Sequence, residues 1–143
     1  MLILNTNSQM RDALIRHRRI AVVGFSEKPT RPSHEIAIYL IEQGYDVYLV
    51  NPILTGQRIL DHTVYSSMRA LPQPPEVVDV FRRSEYVSEI MDEAISIGAK
   101  VVWMQLGVKD DEAAKRGHAA GLIVIQNRCI LVEHARLNIG NTN

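Results

Sequence analysis

The chain reads as an α/β protein of doubly wound architecture, and three features of its sequence predict this. Five short apolar runs rich in β-branched residues recur along it, each too continuous to belong to a sheet wetted on one face. Amphipathic stretches of helical spacing alternate with these runs, and Gly44, Gly98 and Gly121 close the helical stretches. Strands buried on both faces and alternating with helices make a five-stranded, mainly parallel sheet with helices on both faces. Right-handed crossovers then give a Rossmann-like topology.

In chain order, Ser8 is expected to cap a first helix running to about His17, with Met10, Ala13 and Leu14 inward. The basic run Arg16–Arg19 reads as solvated charge at that helix's end. Ile20–Phe25 is the first strand. Arg31–Gln43 is a helix with an apolar stripe of Ile36, Ala37, Leu40 and Ile41, and Tyr45–Val50 is the second strand, stopped by Asn51-Pro52. Residues 53–71 read as irregular, with an extended piece near Arg58–Leu60 and a helical turn at Ser66–Arg69. Prolines 72, 74 and 75 precede a third strand, Val77–Phe81. Ser84 is expected to cap a helix to Ile97 that buries Val87, Ile90, Met91 and Ala94. Val101–Gln105 is the fourth strand. Asp110 or Asp111 opens a helix to about Ala120, Leu122–Ile125 is the fifth strand, and a short helix closes the chain within residues 128–139. No repeat or linker interrupts the series, so residues 1–143 are expected to form one domain.

Composition narrows the function classes. Sixteen basic residues balance 16 acidic ones, so the basic excess that holds nucleic acid nonspecifically is missing. No apolar run is long enough to span a membrane, and the N-terminal apolar stretch is too short for a secretory signal. One cysteine, Cys129, excludes an internal disulfide framework and fits a reducing compartment. A cytoplasmic location is expected.

The candidate site begins with IAVVGFSEKPTRPS, residues 20–33: a strand, a glycine turn, a polar loop and a helix start. The first N–H groups of a helix lack partners within it, and the helix dipole places partial positive charge there, so this geometry can hold a phosphate. Gly24 lets backbone approach a ligand, Ser26 and Ser33 offer hydroxyls, and Lys28 and Arg31 offer charge. The same residues would also make an ordinary strand–loop–helix turn. Ligands of doubly wound sheets sit at the carboxyl ends of the strands. The shortlist is therefore Gly24, Phe25 and Ser26, then Asn51 and Pro52, then Phe81, Arg82, Arg83 and Ser84, then Gln105, Leu106 and Gly107, and finally Asn127, Arg128 and Cys129. Trp103 reads as core or cleft wall.

The common nucleotide fingerprints do not fit. A dinucleotide loop reads G-x-G-x-x-G/A and is followed by an acid after the second strand; here Ser26 holds the second glycine position and Asn51 the acid's place. No Gly-Lys-Ser/Thr follows the turn, as an ATP-binding P-loop requires.

Five segments carry a family resemblance: VGFSEKPTRPS, QGYDVYLVNP, VVDVFRRSE, GAKVVWMQLGV and AGLIVIQNRCILVEHARL. In the same order and spacing they resemble the small stand-alone coenzyme A-binding proteins, whose domain is shared with the N-terminal part of the succinyl-CoA synthetase α subunit. The resemblance runs from about Ile20 to Leu137. It implies that Gly24, Ser26, Arg31 and Ser33 form the loop over the CoA diphosphate, and Phe25, Lys28 and Pro32 of the same stretch are expected among the binding residues. It places Asn51 and Pro52 under the adenosine, and Phe81, Arg82 and Ser84 on the third-strand side of the cleft. Gln105, Leu106 and Gly107 would border the pantetheine path, and Cys129 matches the cysteine of the family's Arg-Cys motif. Family members carry basic residues where Ile53 and Gln57 stand here, which leaves Arg58 as the candidate for the ribose 3′-phosphate. Cys129 reads as a small buried hydrophobe, or as a thiol beside Arg128 able to form a mixed disulfide with CoA.

No metal-ligand spacing links the five histidines, and no G-x-S-x-G elbow is present. Glu133, His134 and Arg136 read as surface or capping polar residues. The expected function is a module that binds CoA or an acyl-CoA as carrier, sensor or regulator without catalysis of its own. Its partners would be the small-molecule ligand and either a second copy or another protein. The alternatives are a subunit of a nucleoside-diphosphate-forming acyl-CoA ligase, or a nucleotide-binding, NAD-type oxidoreductase domain.

Overall fold

A computed structural model describes residues 2–140. The element order is α1 (Asn7–Ile15), β1 (Arg19–Val23), α2 (Pro32–Glu42), β2 (Asp46–Val50), β3 (Arg58–Ile59), β4 (His62–Tyr65), β5 (Val77–Val80), α3 (Val87–Ser96), β6 (Val101–Met104), α4 (Asp111–Ala119), β7 (Ile123–Ile125) and α5 (Ile130–Arg136). The sheet runs β3-β4-β2-β1-β5-β6-β7, every neighbouring pair parallel except β3 with β4. The strand direction of winding reverses between β1 and β5, so the crevice above their carboxyl ends is where such a sheet opens to a ligand.

The fold is the doubly wound α/β one, but the sheet has seven strands where five are expected. The two extra strands form a hairpin in the stretch read as irregular: β3 falls on the extended piece expected near Arg58–Leu60, and β4 is the strand the sequence reading lacks. Ile59 pairs with His62, leaving Leu60 and Asp61 as the turn, with φ of 55° and 59°. That turn ordinarily uses Asn-Gly or Asp-Gly, since left-handed φ strains other residues. Leu-Asp therefore carries no turn signal, and β4 has Val64 as its one buried residue.

Two helix starts also differ. Thr6, not Ser8, caps α1: its hydroxyl accepts from the Gln9 N–H while the Gln9 side chain accepts from the Thr6 N–H. Reciprocal bonding satisfies two orphan donors at once, which Ser8 inside the helix cannot do. Ser84 does not cap a long helix either. It opens a 3-10 turn over Ser84–Tyr86 ahead of α3, and its hydroxyl accepts from the Lys109 N–H at 2.9 Å. The Asp110 carboxylate does cap α4, accepting from the Ala113 N–H.

Each sheet face packs its own core. Met10 and Leu14 of α1, Ile36 and Leu40 of α2 and Ile130 of α5 cover Ile20, Val22 and Trp103. Val87, Met91 and Ala94 of α3 with Ala113 and Ala114 of α4 cover Ala21, Val78 and Val102. Burying one such aliphatic side chain is worth about 1.5–3 kcal/mol, so these two layers fix the sheet between them. α3 and α4 approach so closely that a Cβ on Gly117 would meet Met91 Sδ at 2.7 Å and Val124 Cγ2 at 2.9 Å. Glu133 and His134 are buried rather than superficial, because α5 lies on the core: Glu133 pairs with Arg136, and the Tyr39 hydroxyl bonds His134 Nδ1 at 2.7 Å. Burial and the nearby Arg18 charge hold the His134 pKa below its ordinary value.

Candidate functional site

Gly24 is the hinge of the site. It leaves β1 with φ of +90°, and both its N–H and that of Phe25 donate to the Val50 carbonyl. A Cβ there would lie 3.1 Å from the Phe81 carbonyl oxygen and 3.0 Å from Arg82 Cδ. The loop after β1 is thus pressed against the end of β5, and glycine alone fits both the angle and the gap.

Beyond Gly24 the loop is bound to itself and to its neighbours. The Ser26 N–H donates to Ser33 Oγ at 2.9 Å, the Lys28 N–H to Ser26 Oγ at 3.2 Å, and His34 Nδ1–H to the Ser26 carbonyl at 2.9 Å. Asn51 reaches across from the end of β2: its Nδ2 donates to the Phe25 carbonyl at 2.7 Å, while its Oδ1 accepts from the Ile53 N–H. A carboxylate at position 51 could not donate to Phe25, which is why an amide stands where a dinucleotide fold has its acid. The Phe25 ring is fully buried and stacked on His34, so Phe25 meets the cleft through its backbone. Pro32 begins α2, and no side chain caps that helix start. Lys28 and Arg31 are exposed beside it, and neither is in an ion pair among the described residues.

These elements enclose a cavity of about 520 Å³ on the α1/α2/α5 face of the sheet edge. It brings together Gly24, Phe25, Ser26, Lys28, Arg31, Pro32, Ser33, Asn51, Phe81, Gln105, Leu106 and Cys129. Ile36 and Val108 complete the wall; Ile36 reads from sequence as part of the apolar stripe of its helix, and Val108 carries no signal of the cleft. A second cavity, of about 340 Å³, opens on the opposite face. Gly24 borders both, so the two cavities meet at the glycine ridge.

Of the residues that the family resemblance assigns to the CoA site, five lie outside the larger cavity, and so do Arg83, Asn127 and Arg128 of the strand-end shortlist. Pro52 and Arg82 line the second one, where the Arg82 guanidinium stands 4.1 Å from the Tyr86 ring. Arg58 lines neither, being held in the β3–β4 hairpin by the Asp61 carbonyl and the Thr63 hydroxyl. Ser84 and Gly107 are joined beside the cleft: Ser84 Oγ is 3.5 Å from the Gly107 carbonyl, and the Gly107 N–H donates to Asn127 Oδ1. Ser66, Ser67, Tyr86 and Glu89 are additions of the second cavity, the first two just after β4 and the others at the start of α3.

Beneath the cleft floor lies Asp79, completely buried in the middle of β5. Loss of solvent pushes its carboxyl up to about 8, against the opposing hydrogen bond from Gln105, and so favours its neutral form. Trp103 is fully buried, and its Nε1–H donates to the Arg128 carbonyl. Among the described residues no cluster of three or more His, Cys, Asp or Glu could hold a metal ion, and no helix is long and apolar enough to cross a membrane.

A family model described as a CoA binding domain matches residues 18–135. The chain belongs to the CoA-binding domain family. The uncharacterised protein YneT of Bacillus subtilis is 35% identical over 130 residues, which is 91% of this chain and 95% of that one. A solved structure of a hypothetical protein from Pyrococcus horikoshii is 42% identical, covers 94% of this chain and 93% of that chain, and superposes with a TM-score of 0.87. This CoA-binding domain is also related to the α subunit of an ADP-forming acetate–CoA ligase from Pyrococcus furiosus. That subunit is 30% identical over 96 residues, which is 64% of this chain and 21% of the subunit.

Proposed function

We propose that the protein binds CoA, or an acyl-CoA, across the Gly24 ridge and acts as a carrier, sensor or regulatory module. The carrying observation is the pair of cavities that meet at Gly24 above the switch in strand order. Their volumes lie within the range of small-molecule sites, about 300–1,000 Å³, and together they suit an extended ligand with a charged middle. The diphosphate would lie at the ridge, near the start of α2 and the exposed Lys28 and Arg31. The nucleoside end would enter the second cavity, past Pro52 and Arg82. The pantetheine arm would follow the larger cavity toward Gln105, Leu106 and Cys129. No catalytic residue is assigned.

Calorimetric titration with CoA, dephospho-CoA and NAD tests this reading. Micromolar binding of CoA without binding of NAD supports it; preference for NAD, or no CoA binding, overturns it. A second reading, as a component of an ADP-forming acyl-CoA ligase, is favoured by the relation to the P. furiosus subunit. It predicts a stable complex with a second chain and ATP formation from ADP, phosphate and an acyl-CoA by that complex. The NAD-type reading is disfavoured, because the residue in the ribose-binding place, Asn51, is engaged in holding the loop.

A further inference from the structure

Asp79 breaks the pattern of the strand that carries it. β5 is buried along its whole length, and Asp79 stands in register between Val22 and Trp103, both core residues of the α1/α2/α5 face. Its Oδ1 accepts from Gln105 Nε2, and its Oδ2 has no partner among the described residues. Among the described residues Gln105 is the one group that offsets the loss of solvent there, and it does so by a hydrogen bond, not a charge. An aliphatic side chain would avoid the cost of a poorly satisfied buried polar group, and sequences keep such local inconsistencies where a site needs them.

Gln105 connects this carboxyl to the cleft. Its Nε2 faces Asp79, and its Oε1 lies 3.4 Å from the Ile130 N–H, one residue past Cys129. An acceptor on one side and a donor on the other admit a single orientation of the amide. The same side chain lines the cleft beside Leu106 and Cys129. We propose that Asp79 is a positioning residue: it fixes the Gln105 amide, and through it the Cys129 turn, at the inner end of the cleft, and so governs recognition of the ligand's pantetheine arm. This inference rests on the reading of the cleft as a CoA site.

The test is calorimetric titration of wild type, Asp79→Val and Asp79→Asn with two ligands, CoA and adenosine 3′,5′-bisphosphate, which lacks the pantetheine arm. Wild type should bind CoA more tightly than the bisphosphate. Asp79→Val should keep its bisphosphate affinity while losing about tenfold for CoA, the loss of roughly one hydrogen-bonding group. Asp79→Asn retains an acceptor for Gln105 Nε2 and should restore CoA binding. Should Asp79→Val not fold, Asp79→Ala, which removes the same acceptor with a smaller side chain, should show the same selective loss. CoA affinity unchanged in the folded apolar variant, or equal losses for both ligands, overturns the positioning role. Absence of CoA binding by wild type overturns the functional reading itself and is thereby distinguished from failure of this inference.

Discussion

Replacing Gly24 by alanine perturbs both the fold and the ridge where the cavities meet. Left-handed backbone costs an L-residue about 1–2 kcal/mol, and Gly24 stands at φ +90°. The added methyl would also press on the Phe81 carbonyl oxygen at 3.1 Å and its carbon at 3.2 Å. Arg82 Cδ, at 3.0 Å, can swing away, but the Phe81 backbone is fixed by its N–H bond to the Val23 carbonyl. Overpacking of this kind adds about 1–3 kcal/mol, so the total is roughly 2–5 kcal/mol. Domains are stable by about 5–15 kcal/mol, so the variant should fold, with its melting temperature lowered by roughly 5–20 °C. Urea denaturation measures the first effect, and titration with CoA the second, where a loss of at least about tenfold is expected as the ridge fills. A variant as stable as wild type that binds CoA equally well would refute the argument that glycine is required by both the angle and the approach of β5.

Four further outcomes are expected. Gly117→Ala should destabilise by about 1–3 kcal/mol in urea, despite alanine's better helix propensity, because Met91 and Val124 leave no room; CoA affinity should not change, and a stabilised variant would contradict the close helix approach. Asp79 holds its proton to about pH 8 in the folded chain against 3.8 for the ordinary carboxyl. Its contribution to stability is therefore complete below about pH 4 and is lost as the pH rises to about 8. Asp79→Asn should gain on wild type in urea midpoint between pH 5 and pH 8, and parallel pH profiles would show that Asp79 does not titrate there. Arg58→Ala should leave the ratio of CoA to dephospho-CoA affinities unchanged, since the hairpin already engages that guanidinium; a selective loss of CoA affinity would place Arg58 on the 3′-phosphate. Incubation with CoA disulfide should add one CoA to Cys129, its thiolate displacing one CoA thiol from the disulfide. Intact-mass measurement checks this, and a wild-type chain that gains no CoA would refute it.

The parts of the site that depend on a strand's end were legible, because the sheet's topology sends every parallel strand's carboxyl end to one edge. Gly24, Asn51, Phe81, Gln105 and Cys129, scattered over the sequence, meet at one cleft for that reason. What those residues do there was less legible. Phe25 offers backbone instead of its ring, Ser33 accepts from Ser26 inside the loop, and Arg82 turns to the opposite face over Tyr86. Such choices follow from side-chain neighbours, which periodicity does not encode.

The sequence by itself determined the alternation of buried strands and amphipathic helices, since hydrophobic spacing is a local property that each segment carries alone. It also determined the glycine turn after β1 and the order of the strand-end residues. Only the tertiary structure decided that Leu60-Asp61 turns a hairpin against β2, that the cleft is double, and that Asp79 lies buried under its floor. These depend on pairing and desolvation between segments far apart in the chain, where a left-handed Leu or a buried carboxyl is tolerated because its surroundings, not its own preference, fix its state.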